Sequence, residues 1–206
     1  MRILIVDANA VVRRGLREII ADEFGGCAFG EAADGETAVA EIEARAWDLV
    51  LLDISLPGRS GVGILDRVKR LRPSLPVLAL TMRPDRHYAV CALRRGAGGY
   101  ITKDAPPRDL LDAVRRVLRG QKYVSPRMAG EFAAQAAGPG GRSALSRRER
   151  QVISSLLAGS SVSEIAAAMD LSAKTVSTYR ARAFRKLCLR TEFELARYAI
   201  EHGLEA

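Results

Sequence analysis

Short apolar runs alternate with amphipathic stretches along the first 120 residues of the chain. The runs are too short for helices and lack polar alternation, which is typical of strands covered on both faces of a parallel sheet. Five predicted strands lie near residues 2–6, 27–32, 49–52, 76–80 and 99–102, and five predicted helices lie near 9–23, 35–45, 61–71, 85–96 and 106–119. This order predicts one α/β domain with a five-stranded parallel sheet and helices on both faces.

A change in composition marks the end of this domain. Ser125-Pro126 is a helix-start signal, and the run from Gly138 to Gly141 is typical of a flexible linker. We therefore predict a first domain over residues 1–121, a linker with a short helix over 122–144, and a second domain over 145–206.

The second domain shows only helical patterns. Ser146 with Glu149, and Ser161 with Glu164, form two capping boxes, in which the side chains satisfy free amides at a helix start. Two further helices follow, the last over roughly residues 192–202. Two short helices joined by a tight turn, the second rich in basic and hydroxyl side chains, match a helix-turn-helix. We therefore predict a small all-α domain of four helices.

The charge of the chain is concentrated in this second domain. The net charge is +8, and between Ser146 and Arg190 nine lysines and arginines stand against three acidic residues. Such a concentration favours a polyanionic partner. A solvated basic face would explain the charges alone, but the helix-turn-helix beneath them favours DNA binding.

Other classes of protein are disfavoured by what the sequence lacks. No apolar run approaches the ~20 residues that span a bilayer. The first residues lack the basic head and cleavage site of a signal peptide, so we expect a cytoplasmic protein without membrane contact. No glycine-rich phosphate loop follows the first strand, and no Cys or His lies at a strand end. We therefore expect no phosphatase or nucleotide-binding enzyme.

One carboxylate ends the buried run at the third strand. Leu49 to Leu52 are apolar, Asp53 follows, and Pro57-Gly58 form a turn. In open α/β sheets, functional groups lie at the carboxyl ends of the strands, so Asp53 is a candidate site residue. It could equally cap a loop, and this stretch alone leaves both interpretations open.

The positions of four polar residues carry a family resemblance. Asp7, Asp53, Thr81 and Lys103 follow predicted strands in the order of a receiver domain, and Gly-Tyr-Ile-Thr-Lys-Asp at 99–104 is similar to a receiver signature. The segments Leu-Ser-Arg-Arg-Glu-Arg and Lys-Thr-Val-Ser-Thr-Tyr-Arg-Ala-Arg resemble the LuxR-type DNA-binding domain. Together they resemble a two-component response regulator of the NarL/FixJ class. The first domain is then expected to be flavodoxin-like.

This resemblance implies roles for residues of the first domain. Asp53 would accept a phosphoryl group from a sensor histidine kinase. Thr81 and Lys103 would contact that group, and Tyr100 would be the switch residue whose rotamer reports phosphorylation. Mg²⁺ would be held by three groups, namely the side chains of Asp7 and Asp53 and the backbone carbonyl of Ser55.

The sequence departs from the receiver pattern at Ala8. The acidic pair after the first strand reads Asp7-Ala8, and the missing carboxylate is the one that usually touches the metal. Mg²⁺ prefers carboxylate and water oxygens, so a water would fill the position at lower affinity. Asn9 is not expected to replace it. We therefore expect weak metal binding and impaired phosphorylation of Asp53. The alternative is a phosphorylation-independent regulator whose degenerate receiver serves dimerisation or partner binding.

The resemblance and the helical spacing also assign residues of the second domain. The third helix of this domain is expected to enter the major groove of promoter DNA. Base-facing positions would be Ser177, Thr178 and Ala181, with Lys174, Thr175, Arg182 and Lys186 near phosphates. The last helix would pair with its twin in a homodimer through Leu195, Tyr198 and Ala199. RNA polymerase is a further candidate partner, and a protein-interaction adaptor without DNA affinity is the rival interpretation.

Overall fold

The computed structural model describes residues 1–56, 61–82, 86–125, 145–189 and 191–202. The chain divides into two compact units, Met1–Ala137 and Gly138–Ala206, which are described separately below. The short helix predicted within 122–144 and the glycine run at 138–141 lie outside the described residues, apart from 122–125.

The first unit contains a parallel sheet with the order β2-β1-β3-β4-β5-β6. The predicted α/β class is confirmed, with one more strand than expected. The strands are β1 (Arg2–Val6), β2 (Ala28–Ala32), β3 (Leu49–Asp53), β4 (Val77–Thr81), β5 (Gly99–Thr102) and β6 (Tyr123–Val124). The helices between them are α1 (Ala10–Phe24), α2 (Gly35–Ala44), α3 (Gly61–Leu71), α4 (Arg86–Arg94) and α5 (Pro107–Leu118).

Both faces of the sheet are buried, as the unbroken apolar runs predict. In β1, Leu4 and Val6 belong to a cluster with residues of α2, α3 and α4, whereas Ile3 and Ile5 belong to a cluster with residues of α1 and α5. Neighbouring side chains of a strand point to opposite faces, so every position of a doubly covered strand must be apolar. Because β1 and β3 are neighbours in the sheet, the residues that follow them meet at one edge.

The sixth strand extends the sheet into the predicted linker. The Tyr123 backbone amide donates to the Gly98 carbonyl at 3.0 Å, and the Lys122 Nζ donates to the Ala97 carbonyl at 2.5 Å. The Tyr123 side chain is buried in the cluster under α5. A Cβ at Gly99 would lie 3.0 Å from the Tyr123 Cβ, so a side chain there would force β5 and β6 to shift by a few tenths of an ångström. A two-residue strand has no periodicity to detect, and long-range pairing alone reveals it.

Tyr123 is expected to hold this sheet edge in place. Replacing Tyr123 with Ala removes a buried aromatic ring and should lower the free energy of unfolding of this unit by about 3 kcal/mol. Tyr123→Phe keeps the ring and should cost less than about 1 kcal/mol. Trp47, the single tryptophan of the chain, is buried in the same unit, so its fluorescence during urea unfolding of the full chain measures the loss. Equal stability of the Ala variant and the parent would contradict the assignment.

The second unit contains four described helices, as predicted. They are α6 (Arg147–Leu157), α7 (Val162–Met169), α8 (Ala173–Leu187) and α9 (Glu192–His202). Both predicted capping boxes are confirmed, at Ser146 and at Ser161. A three-residue turn joins α7 to α8, and its first residue, Asp170, has a left-handed φ of 52°. The geometry is that of a helix-turn-helix.

Candidate functional site

Two carboxylates meet at the carboxyl edge of the sheet. Asp53 is the last residue of β3, and Asp7 directly follows the neighbouring strand β1. Their exposures are 5% for Asp53 and 1% for Asp7, far below those of ordinary surface acids. Carboxylates are almost never buried to this extent unless they are paired or bind a metal, so this pair marks a site.

Lys103 joins the two carboxylates. Its backbone amide donates to the Thr81 carbonyl at 2.7 Å, which fixes the lysine at the end of β5. The Lys103 Nζ lies 2.5 Å from Asp7 Oδ2 and 2.8 Å from Asp53 Oδ2, and its side chain is 6% exposed. One positive charge therefore neutralises only one of two negative charges in a buried pocket. The remaining charge favours a cation or a positively charged partner group.

The other oxygen of Asp53 is held by Ser55. The Ser55 backbone amide and the Ser55 Oγ both donate to Asp53 Oδ1, at 2.8 Å and 2.6 Å. Only the backbone carbonyl of Ser55 was expected to act here, so the sequence analysis missed the hydroxyl. An Asp-x-Ser pattern is a local signal for such a turn, because the aspartate side chain readily accepts from the backbone two residues on.

The two oxygens of Asp7 have different surroundings. Oδ1 accepts from the Asn9 backbone amide at 2.9 Å. Oδ2 is buried and contacts Lys103 as an ion pair, but it has no hydrogen bond of acceptable geometry to any residue that the structure describes. Arg13, which the sequence analysis also missed, holds this loop by donating from Nη1 to the Asp7 carbonyl at 2.8 Å. Asp7 thus presents one buried, incompletely satisfied oxygen.

The donor set suits a weakly held divalent cation. Ala8 is exposed and offers no side-chain oxygen, and the Asn9 Oδ1 accepts from the Val11 amide at 2.9 Å as the cap of α1. Asn9 therefore does not replace the missing carboxylate, as expected. Within the described parts of the chain, no group of three or more His, Cys, Asp or Glu residues could hold a metal ion. Two carboxylates and a carbonyl fit Mg²⁺ when waters complete the octahedron.

Tyr100 lies inside the unit next to Thr81. Its side chain is 0% exposed, and Thr81 at the end of β4 is 5% exposed. The two side chains share a hydrogen bond, and burial raises the pKa of Tyr100 to about 12. The predicted switch residue is therefore neutral, buried and in contact with one of the predicted phosphoryl-contacting groups.

The predicted DNA-contacting residues share one face of α8. Lys174, Ser177, Thr178, Ala181 and Arg182 are exposed, whereas Val176, Ala183 and Phe184 on the opposite face are buried. Thr175 is half-buried, and its backbone amide donates to the Ser172 Oγ that caps the helix. Residues spaced by three, four and seven positions lie side by side on a helix, so the exposed set forms a continuous strip.

Lys186, predicted to lie near DNA phosphates, forms an ion pair within its own unit. Its Nζ lies 2.7 Å from Oε2 of Glu149, whose side chain is 4% exposed. Burial acts to raise the pKa of Glu149, but hydrogen bonds from Lys186 and from the Ser146 amide outweigh it and hold the pKa below its ordinary value. Lys186 therefore neutralises a buried carboxylate between α6 and α8. The sequence analysis could not detect a partner 37 positions away.

The predicted dimerisation residues of α9 are mostly buried within their own unit. Leu195 is 1% exposed and Ala199 is 6% exposed, and Tyr198 packs against the same cluster. Leu195 and Tyr198 pack in a cluster with residues of α6 and α8, and Tyr198 stays half-buried, so Leu195 and Ala199 offer little surface to a partner. The apolar residues that α9 exposes are Phe193, at 74%, and Ile200, at 84%, which lie seven positions apart on one helix face.

Both units match known families. Residues 3–115 match the response regulator receiver domain, and residues 143–199 match the bacterial regulatory proteins of the luxR family. The chain is a response regulator. Its receiver holds the acidic pocket, and its LuxR-type domain holds the helix-turn-helix. The resemblance to the NarL/FixJ class is confirmed, and so is its function as a DNA-binding transcription regulator.

Relatives and a solved structure match this response regulator over almost its full length. Response regulator UvrY of Escherichia coli strain K12 is 35% identical, over 99% of this chain and 95% of that protein. Response regulator GacA of Pseudomonas viridiflava is 34% identical, over 99% of this chain and 97% of that protein. The structure of RcsB from Salmonella enterica serovar Typhimurium, bound to promoter P1flhDC with phosphomimetic BeF3⁻, is 25% identical with a TM-score of 0.74, covering 98% of each chain. None of the described helices of the response regulator is long and apolar enough to cross a membrane.

Proposed function

We propose that phosphorylation of Asp53 by a sensor histidine kinase controls the binding of this response regulator to promoter DNA as a dimer. The observation that supports this most directly is the convergence of Asp53, Asp7 and Lys103 within 2.8 Å contacts in one buried pocket. The family matches add a DNA-binding domain of known type in the same chain. We further propose a cytoplasmic location, RNA polymerase as a further partner and no catalytic turnover of a separate substrate.

The proposed acceptor chemistry follows from the contacts of Asp53. A carboxylate oxygen attacks the phosphorus of the donor, an O–P bond forms, and the bond to the donor breaks. Mg²⁺ bound by Asp7, Asp53 and the Ser55 carbonyl would supply positive charge to the phosphoryl oxygens. Lys103 lies at Asp53 Oδ2 and is positioned to pair with the new phosphoryl group.

The proposed switch uses the contact between Thr81 and Tyr100. The Thr81 hydroxyl has one proton, so donating it to a phosphoryl oxygen is incompatible with donating it to Tyr100. A buried phenol that loses its partner is destabilised by about 1–3 kcal/mol. Phosphorylation would therefore favour a different arrangement of Tyr100 and of the elements around it.

The proposed DNA interface is the exposed strip of α8. Ser177, Thr178 and Ala181 would face base edges, and Lys174, Thr175 and Arg182 would face phosphates. The Thr178 hydroxyl donates to the Lys174 carbonyl at 2.9 Å, so toward a base it would act as an acceptor. Lys186 is not assigned to this DNA interface, because its charge is already paired with Glu149.

The proposed dimer contact uses the exposed apolar face of α9. Phe193 and Ile200 replace the buried Leu195 and Ala199 as the expected contact residues. Large exposed apolar side chains on one helix face are typical of protein interfaces. A two-fold pairing through this face would present two copies of α8 to two half-sites.

Promoter binding and oligomeric state, measured before and after acetyl phosphate with Mg²⁺, test this function. We expect the parent protein to bind promoter DNA about tenfold more tightly after treatment. Asp53→Asn should not be labelled, because the amide is not a nucleophile, and its binding to promoter DNA should not become tighter after treatment. Unlabelled parent protein with unchanged, specific DNA binding would instead support the phosphorylation-independent regulator with a degenerate receiver.

A further inference from the structure

Two lysine side chains converge on one turn at the amino-terminal edge of the sheet, the edge opposite the acidic pocket. This turn, Gly96-Ala97, leads into β5. A Cβ at Gly96 would lie 3.3 Å from the Lys69 Cε, so the Lys69 side chain of α3 lies against the turn. The Lys122 Nζ donates to the Ala97 carbonyl at 2.5 Å. We propose that Lys69 and Lys122 form a binding site for a dianionic phosphate group, such as inorganic phosphate or a phosphate monoester.

Backbone carbonyls hold both ammonium groups in place without neutralising them. The Lys69 Nζ donates to the Leu75 carbonyl at 2.6 Å and to the Pro73 carbonyl at 3.3 Å. Leu75 and Ala97 each stand two residues before a strand, and the two strands, β4 and β5, are neighbours. A lysine ammonium has three N–H donors, and these bonds use two on Lys69 and one on Lys122. The other three donors have no partner among the described residues, so they are available to a ligand.

The charges of the two lysines are not balanced by acidic side chains. Neither lysine belongs to an ion pair within the described parts of the chain, and Asp66, one turn before Lys69 on α3, is paired with Arg95. Burial lowers the pKa of Lys69, and the positive charge of Lys122 lowers it further. Two like charges therefore act on each other at this edge. A ligand with two negative charges would remove that repulsion.

The number of charges favours a phosphate group over a carboxylate. A phosphate monoester carries about −1.5 to −2 charges at pH 7 and has three strong acceptor oxygens. One such group can therefore neutralise both lysines and accept from their free donors, whereas a carboxylate or a phosphodiester carries a single charge. Arg70, Arg72 and Arg94, near the ends of α3 and α4, are exposed and add to the positive potential of this edge. If the lysines served only as caps for the carbonyls, no saturable phosphate binding would be observed.

The test is a titration of the full-length protein with sodium phosphate at constant ionic strength, followed by the NMR shifts of backbone amides. EDTA keeps divalent cations out of the acidic pocket, whose net negative charge then disfavours phosphate. We expect saturable shifts at Gly96, Ala97 and Lys122, with half-saturation at about 1 mM. Lys122→Gln should weaken this binding by about tenfold, because it removes a charged hydrogen-bond donor. Arg70→Gln is the matched control, since it removes the same charge from the end of α3 and should bind like the parent.

Two further ligands define the chemical class. Methyl phosphate, a monoester, should bind as tightly as inorganic phosphate, which would identify the site as one for the phosphate end of a larger molecule. Dimethyl phosphate has one negative charge and should bind about tenfold more weakly. Equal affinity for the two esters would overturn the assignment to a dianion.

The remaining outcomes decide whether the site exists. Shifts that do not saturate, or that sodium acetate reproduces at the same concentrations, would show an adventitious ion only. Unchanged affinity in Lys122→Gln, or equal losses in Lys122→Gln and Arg70→Gln, would reject the lysine pair as the site. Lys69→Gln should show the same loss as Lys122→Gln. Because Lys122 is exposed, Lys122→Gln decides the question if Lys69→Gln does not fold.

Discussion

Replacing both Lys174 and Arg182 with Ala should weaken binding to promoter DNA by about 100-fold at physiological salt. Both side chains lie on the exposed strip of α8. A dimer would lose four phosphate contacts, and each contact contributes roughly one unit to the slope of log K against log salt. The salt slope should therefore fall by about 3.5, and fluorescence anisotropy over a salt series measures both quantities.

A matched control separates this local effect from net charge. Arg14 and Arg108 lie in the receiver, with side chains 74% and 85% exposed. Arg14→Ala with Arg108→Ala changes the net charge of the chain by the same amount without touching α8. Binding close to that of the parent is expected for this control. Equal losses in the two double variants, or an unchanged salt slope in the α8 variant, would contradict the assigned interface.

The second large effect is expected from Ala8→Asp, which restores a carboxylate beside Asp7. The pocket now has two carboxylates and one lysine, and a third carboxylate would add a full negative charge beside the proposed cation. Because Ala8 is exposed, the new side chain meets no packing conflict. We expect Mg²⁺ affinity to rise by about 30-fold, since carboxylate number strongly tunes the affinity of such sites.

The dependence of labelling on Mg²⁺ concentration measures this change. Half-maximal labelling by acetyl phosphate should need about 30-fold less Mg²⁺ in Ala8→Asp than in the parent. Ala8→Asn is the matched control, because the asparagine side chain has the size of aspartate and one oxygen but no charge. Its half-maximal labelling should need nearly the same Mg²⁺ concentration as the parent. Calorimetric titration with Mg²⁺ alone gives the affinity without phosphorylation. Identical curves for the parent and Ala8→Asp would show that the receiver does not depend on the missing carboxylate.

Trp47 is poorly placed to report on this metal site. It precedes β3 at the amino end of the strand, whereas Asp53 closes the carboxyl end. At about 3.3 Å per residue, the six steps between them separate the two by roughly 20 Å. The indole also packs among buried apolar residues and donates to the Glu41 carbonyl. Its fluorescence is therefore suited to unfolding experiments, as used above for Tyr123.

Local signals in the sequence determined most of the architecture. Unbroken apolar runs identified β1 and β3 because both faces of the sheet are covered, and the capping boxes at Ser146 and Ser161 located two helix starts. The resemblance of the positions of Asp7, Asp53 and Lys103 to a receiver domain predicted one pocket, which agrees with parallel strands bringing their carboxyl ends to one edge. The strands and the capped helix starts depend on near neighbours in sequence, which is why they could be predicted.

The tertiary structure alone decided the contacts between residues that are distant in sequence. It paired Tyr123 with Gly99 as a sixth strand and Lys186 with Glu149. It also buried Leu195 of α9, because the apolar spacing of that helix is equally compatible with a core face and with a dimer face. Inside the pocket it placed the Ser55 hydroxyl on Asp53 Oδ1. The sequence by itself placed Asp7, Asp53 and Lys103 at the proposed phosphorylation site, and the folded structure decided which oxygen each contact holds, since hydrogen-bond geometry exists only after the strands have met.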